Sequence, residues 1–166
     1  MKNLGFRKAK PGEIGTVLAL LREAALWLRE KGIDHWREWI DPPEIFVKWI
    51  REGFDRGQFY MIQEEGHTIG CVRMQWRDPL FWGEREDNAG YIHSFTIERS
   101  LAGRGIGAEV LSLIEAYFRK HGKTVFRLDC GTEVKGLRAY YERFGFKPVG
   151  EVTVKGERLT LYEKPI

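Results

Sequence analysis

The stretch Leu101-Ala102-Gly103-Arg104-Gly105-Ile106-Gly107-Ala108 places three glycines at every second position between a predicted strand and a predicted helix. Residues 91–97 before it are rich in β-branched and aromatic side chains, and apolar residues after it recur at helical spacing. The glycines permit a sharp turn and leave amide N–H groups uncovered at the helix N-terminus. With Arg104 beside them, these amides predict an anion site that favours phosphate.

Two kinds of phosphate-binding fold fit this loop. Residues 103–108 match Gly-x-Gly-x-x-Ala, and Asp129 follows about twenty residues later at a predicted strand end, as in dinucleotide-binding units. That fold needs several further strand–helix units, whereas only 58 residues follow Ala108, and they predict one strand, one helix and a hairpin. The alternative is a loop that binds an acyl-coenzyme A, and the short remainder of the chain favours it.

The hydrophobic pattern predicts an alternation of helices and strands along the whole chain. Strands are predicted over 4–10, 58–64, 68–75, 91–97, 124–129, 148–154 and 157–162. Apolar residues at helical spacing lie within 14–28, 45–50, 106–118 and 137–144. Turns at 65–67 and 155–156 close two hairpins, and residues 77–89 are predicted to form an acidic and aromatic loop.

This order of elements, the glycine loop and Tyr140-Tyr141-Glu142-Arg143-Phe144-Gly145-Phe146 together resemble the GNAT superfamily of N-acetyltransferases. The resemblance covers residues 6–162. It implies a single N-acetyltransferase domain over residues 1–166, of the α/β (α+β) class. The implied GNAT fold is a single mixed, mostly antiparallel twisted sheet of about seven strands with four helices on both faces.

The resemblance also implies the cofactor, acetyl-CoA, with coenzyme A as a product. In the family, the pantetheine arm pairs with main-chain groups of the strand before the loop, and the loop binds the pyrophosphate. The implied cofactor-binding residues are Phe95, Thr96, Ile97, Ala102, Gly103, Arg104, Gly105, Ile106, Gly107, Ala108, Val134 and Tyr141.

Two positions depart from the family pattern. The family usually has Gln or Arg where this chain has Ala102, and usually Asn where it has Val134. The first change removes a side chain but no backbone donor, so we expect pyrophosphate binding to survive. The second removes a polar contact to the cofactor, and its effect on affinity stays open.

Acetyl transfer to an amine needs an acid for the departing thiolate, and the resemblance implies Tyr141 in this role. A tyrosine is a suitable donor to a thiolate, whose conjugate acid has a pKa of about 8.5. Tyr140 is one residue round the helix and is expected to point elsewhere. From the residues alone, the preferred interpretation of Tyr141 is a packed ring whose hydroxyl is hydrogen-bonded within the protein.

The general base is predicted to be His93, which lies on the strand before the loop and titrates in the useful range. The alternatives are a water chain or one of the carboxylates of neighbouring loops, namely Glu64, Glu65, Glu84 and Glu86. The alternative interpretation of His93 is a structural one, in which the histidine only orders the sheet. Direct transfer in a ternary complex is expected, because Cys130 shows no histidine or aspartate partner in the sequence.

The acceptor is expected to be a small-molecule or peptide amine. The first helical region contains four tryptophans, Trp27, Trp36, Trp39 and Trp49. They are interpreted either as residues of the hydrophobic core or, for one or two of them, as the lining of the acceptor pocket. Sheet edges in the resembled family often pair, so a homodimer is an expectation. Two other classes stay open: a coenzyme-binding module without catalysis, which the changes at Ala102 and Val134 would suit, and a nucleotide-binding oxidoreductase.

The composition is that of a soluble globular protein, with 43% hydrophobic and 31% charged residues. A net charge of +3 without a run of Lys or Arg does not predict nucleic-acid binding. Cys71 and Cys130 are predicted to be reduced, buried thiols, and no metal site is predicted. No apolar stretch of about 18 residues occurs, so we expect no membrane association and a cytoplasmic location.

Overall fold

A computed structural model describes residues 2–166, which form a seven-stranded sheet and five α-helices. The strands are β1 (Leu4–Lys8), β2 (Phe59–Glu64), β3 (His67–Gln75), β4 (Ala89–Ile97), β5 (Val125–Gly131), β6 (Lys147–Val154) and β7 (Glu157–Pro165). The helices are α1 (Ile14–Glu30), α2 (Glu44–Asp55), α3 (Pro79–Trp82), α4 (Ile106–Lys120) and α5 (Lys135–Arg143).

The strand order is β1-β2-β3-β4-β5-β7-β6. Antiparallel pairs join β1 to β2, β2 to β3, β5 to β7 and β6 to β7, whereas β4 and β5 run parallel. The predicted fold class, a mixed and mostly antiparallel sheet, is therefore confirmed. The structure adds the four-residue helix α3 to the four predicted helices, inside the segment predicted as a loop, where Pro79 occupies the first turn.

Both predicted hairpins close through two-residue turns. Glu65 and Gly66 have φ of +50° and +81°, and Lys155 and Gly156 have φ of +51° and +79°. Two successive positive φ values define the type I′ turn, whose twist matches that of antiparallel strands. A glycine at the second position lowers the backbone strain of each turn. Gly66 and Gly156 are therefore clear sequence signals for the two hairpin turns.

The parallel ladder between β4 and β5 is short. Its three residue pairs are Ala89 with Val125, Gly90 with Phe126 and Tyr91 with Arg127. Beyond Tyr91, β4 continues for six residues without a pair on β5 in the described chain. His93 and Asp129 each lie two residues beyond the last pair of this ladder.

The chain divides into two compact units, and β4 and α4 each run from one unit into the other. One unit contains residues up to 74 and 94–110, and the other contains residues 75–93 and 111–166. The core of the first unit consists of Val17, Leu20, Leu21, Ala25, Trp39, Ile50, Phe59, Met61 and Cys71. The core of the second contains Trp82, Ala89, Tyr91 and Leu161. The single domain over 1–166 stays a prediction.

The tryptophans of the first helical region have different surroundings. Trp39 is buried in the core of the first unit, and Trp36 and Trp49 pack against that core. Trp49 also lies under the guanidinium of Arg73, 4.1 Å from the ring centroid. These contacts favour the core interpretation for the three. No helix within residues 2–166 combines the length and the apolar character needed to cross a membrane.

Candidate active site

The glycine loop between β4 and α4 presents bare backbone. Gly103 and Gly105 have φ of +78° and +75°, a region that residues with a Cβ rarely adopt. No other atom lies within 4 Å of the place where a Cβ would stand on either glycine. Glu109 N–H donates to Gly105 O at 3.2 Å, so helix geometry leaves the three preceding amides without an acceptor in their own helix. These amides fit a phosphate at the positive end of α4.

Arg104 adds a cation to this loop. Its guanidinium is 42% exposed, and Nη2 lies 3.8 Å from Oε1 of Glu64, which also pairs with Lys2 at 3.3 Å. An exposed pair at this distance contributes little free energy, so an anion at the loop can compete for Arg104. Glu64, one of the alternative candidates for the general base, therefore forms ion pairs with both Arg104 and Lys2.

The three predicted pantetheine-contacting residues follow the end of the β4–β5 ladder. Phe95 and Ile97 are half-buried, whereas the side chain of Thr96 is buried. Ser94 has φ of +53° within the strand, a conformation that residues other than glycine rarely adopt. The Cys71 thiol donates to Ser94 O at 3.5 Å.

His93 is held by a carboxylate that the sequence did not single out. Its Nε2 lies 2.6 Å from Oδ2 of Asp78, the residue before α3, and the two side chains are only 8% and 3% exposed. A carboxylate can only accept, so Nε2 carries the proton of this hydrogen bond.

A second carboxylate faces the other nitrogen of His93. Tyr91 and Arg127 form the last pair of the β4–β5 ladder, so His93 and Asp129 each lie two residues further along. Residues two apart on a strand project to the same side. Asp129 Oδ2 lies 3.4 Å from His93 Nδ1, and its side chain is 9% exposed.

The segment 78–88 packs beside His93 and is fixed at both ends. Phe81 lies 4.3 Å from His93 between ring centroids, and Asp78 bonds to the histidine at the start of the segment. Near the other end, both carboxylate oxygens of Asp87 accept hydrogen bonds from Arg127. This hydrogen bond lowers the pKa of Asp87 from its ordinary value. The acidic and aromatic loop predicted for residues 77–89 thus contains the helix α3 and is held by side-chain contacts near both ends.

Arg127 is itself a buried cation with several partners. Its side chain is 4% exposed, and it also donates to Glu163 at 3.1 Å and to Tyr91 Oη at 2.9 Å. Burial disfavours its charge, but these hydrogen bonds outweigh that cost and raise its pKa. The charge of Arg127 is therefore matched by Asp87 and Glu163.

The remaining acidic candidates lie on exposed positions. Glu84 pairs with Arg77, and both side chains are well exposed. Glu65 accepts a hydrogen bond from Asn3 N–H at 2.8 Å, and Glu86 is exposed. Since charges in this segment are partly matched by arginines, they do not form a continuous negative patch. Asp78 is the carboxylate of this segment that reaches His93.

Tyr141 lies on α5 with only 6% of its surface exposed. Burial raises the pKa of its hydroxyl well above the ordinary value, and the nearby Cys130, Tyr140 and Asp129 add to the shift. The hydroxyl therefore stays protonated across the physiological range and can only act as a donor. Tyr140 is half-buried, and its ring is inclined by 69° to that of Tyr141. Val134 is buried at the residue before α5, where it offers no side-chain donor.

Both cysteines are free and buried. Burial raises the pKa of Cys130 and of Cys71 to about 12, so both thiols are protonated near neutral pH. A protonated, buried thiol is a poor nucleophile. The two therefore behave as small apolar residues of the interior.

One group of described residues has the composition of a metal site. Ligand atoms of Asp78, His93 and Asp129 all lie within 4.8 Å of one another. Each ring nitrogen of His93 faces a different carboxylate, Nε2 at 2.6 Å from Asp78 and Nδ1 at 3.4 Å from Asp129.

The comparisons with known proteins agree with this fold. The model of the Acetyltransferase (GNAT) family matches residues 23–146. The uncharacterized N-acetyltransferase YesJ of Bacillus subtilis is 26% identical over 140 residues, which are 81% of this chain and 77% of YesJ. This supports N-acetyltransferase activity in general terms, and neither an oxidoreductase nor an inactive coenzyme-binding module is favoured.

Solved structures show the same fold at low sequence identity. An acetyltransferase of the GNAT family from Listeria monocytogenes superposes with a TM-score of 0.78 at 23% identity, covering 98% of this chain and 95% of that one. The aminoglycoside acetyltransferase AAC(6')-Ib in complex with coenzyme A gives 0.73 at 16% identity, with coverages of 98% and 95%. Together with the family match over three quarters of the chain, these findings establish that the protein belongs to the GNAT acetyltransferase family.

Proposed function

We propose that the protein transfers the acetyl group of acetyl-CoA to a primary amine by direct attack in a ternary complex. The observation that carries the proposal is the hydrogen bond from His93 to the buried carboxylate of Asp78. It orients the imidazole, and a neutral ring with its proton on Nε2 has Nδ1, which faces Asp129, as its proton acceptor, which is the arrangement of a general base supported by a second residue.

The glycine loop fits the diphosphate of an acyl-coenzyme A. Gly103 and Gly105 leave open space beside the main chain, Arg104 supplies a mobile positive charge, and the amides at the start of α4 are donors. The side chain missing at Ala102 removes none of these donors. Coenzyme A bound to a structurally similar acetyltransferase supports this assignment. When bound, acetyl-CoA supplies the reactive thioester.

The main chain of Phe95, Thr96 and Ile97 is assigned to the pantetheine arm. These residues lie beyond the end of the β4–β5 ladder, on the strand that leads into the glycine loop. Positioning by such bonds supplies a large part of the rate of a transfer reaction, because it replaces a collision with a held geometry.

His93 Nδ1 is assigned the removal of the amine proton, with Asp78 holding the ring and stabilising the cation that forms. Tyr141 is assigned the protonation of the departing thiolate of coenzyme A. Its buried hydroxyl keeps its proton, so it is available as a hydrogen-bond and proton donor to the sulfur as that sulfur leaves. The protonated thiol of Cys130 makes an acetylated enzyme an unfavourable route.

The test is release of free thiol from acetyl-CoA with a panel of primary amines, followed by mass spectrometry of the amine product. We expect stoichiometric coenzyme A and N-acetylated amine, with little thiol released when the amine is omitted. Binding of acetyl-CoA without transfer to any amine would contradict the proposal. Stabilisation by NAD in place of acetyl-CoA would contradict the assignment of the loop.

A further inference from the structure

Arg99 begins the short turn that leads from β4 into the glycine loop, and α1 holds it there. Its guanidinium lies over the ring of Trp27, 4.0 Å from the ring centroid. Its main-chain N–H donates to Oε2 of Glu23 at 3.3 Å. Glu23 and Trp27 are four residues apart on α1, so one face of this helix fixes both the backbone and the side chain of Arg99.

Arg99 differs from the other arginines of low exposure, because its guanidinium has no polar partner. Five arginines within residues 2–166 are buried or half-buried. Four of them donate hydrogen bonds to another side chain: Arg7 to Glu13, Arg73 to Gln58, Arg127 to Asp87 and Arg138 to Tyr162. Within the same residues, the guanidinium of Arg99 forms neither a hydrogen bond nor an ion pair, and its Nε is buried. A half-buried cation without an anion is costly, so the arrangement indicates a ligand.

The stack on Trp27 leaves the end of the guanidinium for recognition. Nε is the buried nitrogen, whereas Nη1 and Nη2 of Arg99 are accessible. These two nitrogens form a planar fork of N–H donors, which matches the two oxygens of a carboxylate. Since α1 already holds the guanidinium in one orientation, little conformational entropy is lost when the fork binds an anion.

We propose that Arg99, stacked on Trp27, is a binding site for a carboxylate group, and that this carboxylate belongs to the acceptor. The proposal rests on the acetyltransferase function proposed above. It narrows the acceptor to amines that carry a carboxylate at some distance from the reacting nitrogen.

Two observations favour the acceptor over coenzyme A as the source of the anion. The amides assigned to the diphosphate lie at the start of α4, whereas the side chain of Arg99 contacts α1, and the chain turns between them at Gly103 and Gly105. Trp27 is also one of the tryptophans predicted to form core or to line the acceptor pocket. It is half-buried, and two cations, Arg99 and Lys31, lie over its ring.

Amines with the same chain and different end groups test the inference. The amino acids from β-alanine to ε-aminocaproate carry a carboxylate, and their primary amides are neutral at that end. We expect the wild type to prefer the acids. The ratio of kcat/KM for acid to amide, at the best chain length, should fall about tenfold or more in Arg99→Gln, mainly through KM. Arg56→Gln removes the same charge from an exposed arginine at the end of α2 and should keep the wild-type ratio.

Substitutions of Trp27 test whether the stack positions the fork. Trp27→Phe keeps an aromatic face under the guanidinium and should retain most of the preference for acids. Trp27→Leu removes that face, and we expect the acid-to-amide ratio to fall about threefold or more. Rates with the amides should stay the same in both variants, because the amides do not use the charge of Arg99. An equal loss for acids and amides would mean that the stack only supports the fold, and it would overturn the inference.

A second readout needs no transfer. Hexanoate has the carboxylate and no amine, and nuclear magnetic resonance follows the guanidinium signals of the protein loaded with coenzyme A. We expect hexanoate to shift the arginine signal that is missing in Arg99→Gln, and we expect hexanamide to leave it in place. Absence of that shift would overturn the inference, as would an unchanged acid-to-amide ratio in Arg99→Gln.

The cofactor is tested separately. If Arg99→Gln weakened the binding of coenzyme A but not of its 3′-dephospho form, the fork would belong to the cofactor and the inference would be overturned. If no amine were acetylated, the acetyltransferase function would fail, and the hexanoate titration would still decide whether Arg99 binds a carboxylate.

Discussion

His93 Nε2 lies 2.6 Å from Asp78 Oδ2, and both side chains are almost completely buried. Asp78 precedes the four-residue helix α3, and His93 lies in the middle of β4. The hydrogen bond therefore holds segment 78–88 to the central strand. The other ring nitrogen, Nδ1, lies 3.4 Å from Asp129 Oδ2. The pair thereby converts a histidine that could only order the sheet into a candidate base.

Replacing Asp78 by Asn should lower activity without unfolding the protein. The amide can still accept from Nε2–H, but it no longer stabilises the imidazolium, and it can hold the ring in the other tautomer. We expect kcat/KM to fall about tenfold or more, with an altered pH–rate profile. Steady-state kinetics across pH measure this effect. Glu84→Gln in the same segment, where the side chain is 68% exposed, should leave the kinetics unchanged.

Tyr141→Phe tests the acid. The phenyl ring fills nearly the same buried volume, so the protein should fold, but the thiolate then has no donor at this position. We expect kcat to fall about tenfold or more with little change in coenzyme A affinity. Tyr140→Phe, one residue away and half-buried, serves as the control and should keep its kcat. Near-normal turnover in Tyr141→Phe would remove Tyr141 from the mechanism.

Gly105→Ala tests the cofactor loop. A Cβ at φ of +75° costs about 1 kcal/mol and projects into the open space beside the loop. Gly122, just after α4, has φ of +73° and equally open surroundings, so Gly122→Ala carries the same strain without touching the loop. We expect equal losses of stability, whereas coenzyme A affinity measured by calorimetry should fall in Gly105→Ala alone. Equal affinities in the two variants would place the diphosphate elsewhere.

Asp87→Asn tests the anchor of segment 78–88 through acid stability. The hydrogen bond from Arg127 lowers the pKa of Asp87 in the folded state. A lowered pKa contributes stability above the unfolded-state value of about 3.9, and that contribution disappears as pH falls through the folded-state pKa. Asp87 is 43% exposed, so screening reduces the effect to about 1 kcal/mol at neutral pH.

Urea unfolding at several pH values measures this difference. The wild type should be more stable than Asp87→Asn at pH 7, and the two curves should converge below pH of about 4. Asp34→Asn is the control, because Asp34 is 82% exposed and pairs only across one helical turn with Arg37 at 3.2 Å. If the free energies of unfolding of the wild type and Asp87→Asn differed by the same amount at every pH, the stabilisation by Asp87 would not depend on its charge.

Local chemistry accounts for the parts of the structure that the sequence predicted well. Gly66 and Gly156 mark their turns because the backbone there needs positive φ, and Gly103 and Gly105 mark the loop for the same reason. The strands and long helices follow from the period of their apolar residues. The short helix α3 was missed because four residues are too few to show a period.

The partners of His93 could not be predicted because they depend on long-range pairing. Asp129 faces His93 only in the observed parallel register of β4 and β5, and a shift by one residue would turn its side chain to the other face. Asp78 reaches His93 through the path of segment 78–88, which the sequence describes only as acidic and aromatic. Knowledge of the parallel register would have been enough to predict the Asp129 contact.

The most direct test of the account is the pH dependence of kcat/KM for an alkylamine in the wild type and in His93→Gln. A free histidine titrates near pH of about 6.5, and a base loses function when it is protonated. We expect the wild-type rate to fall on the acidic side as His93 gains its proton, and we expect His93→Gln to be about tenfold slower or more and to lack that acidic limb. An identical acidic limb in both proteins would contradict the assignment of His93 as the base.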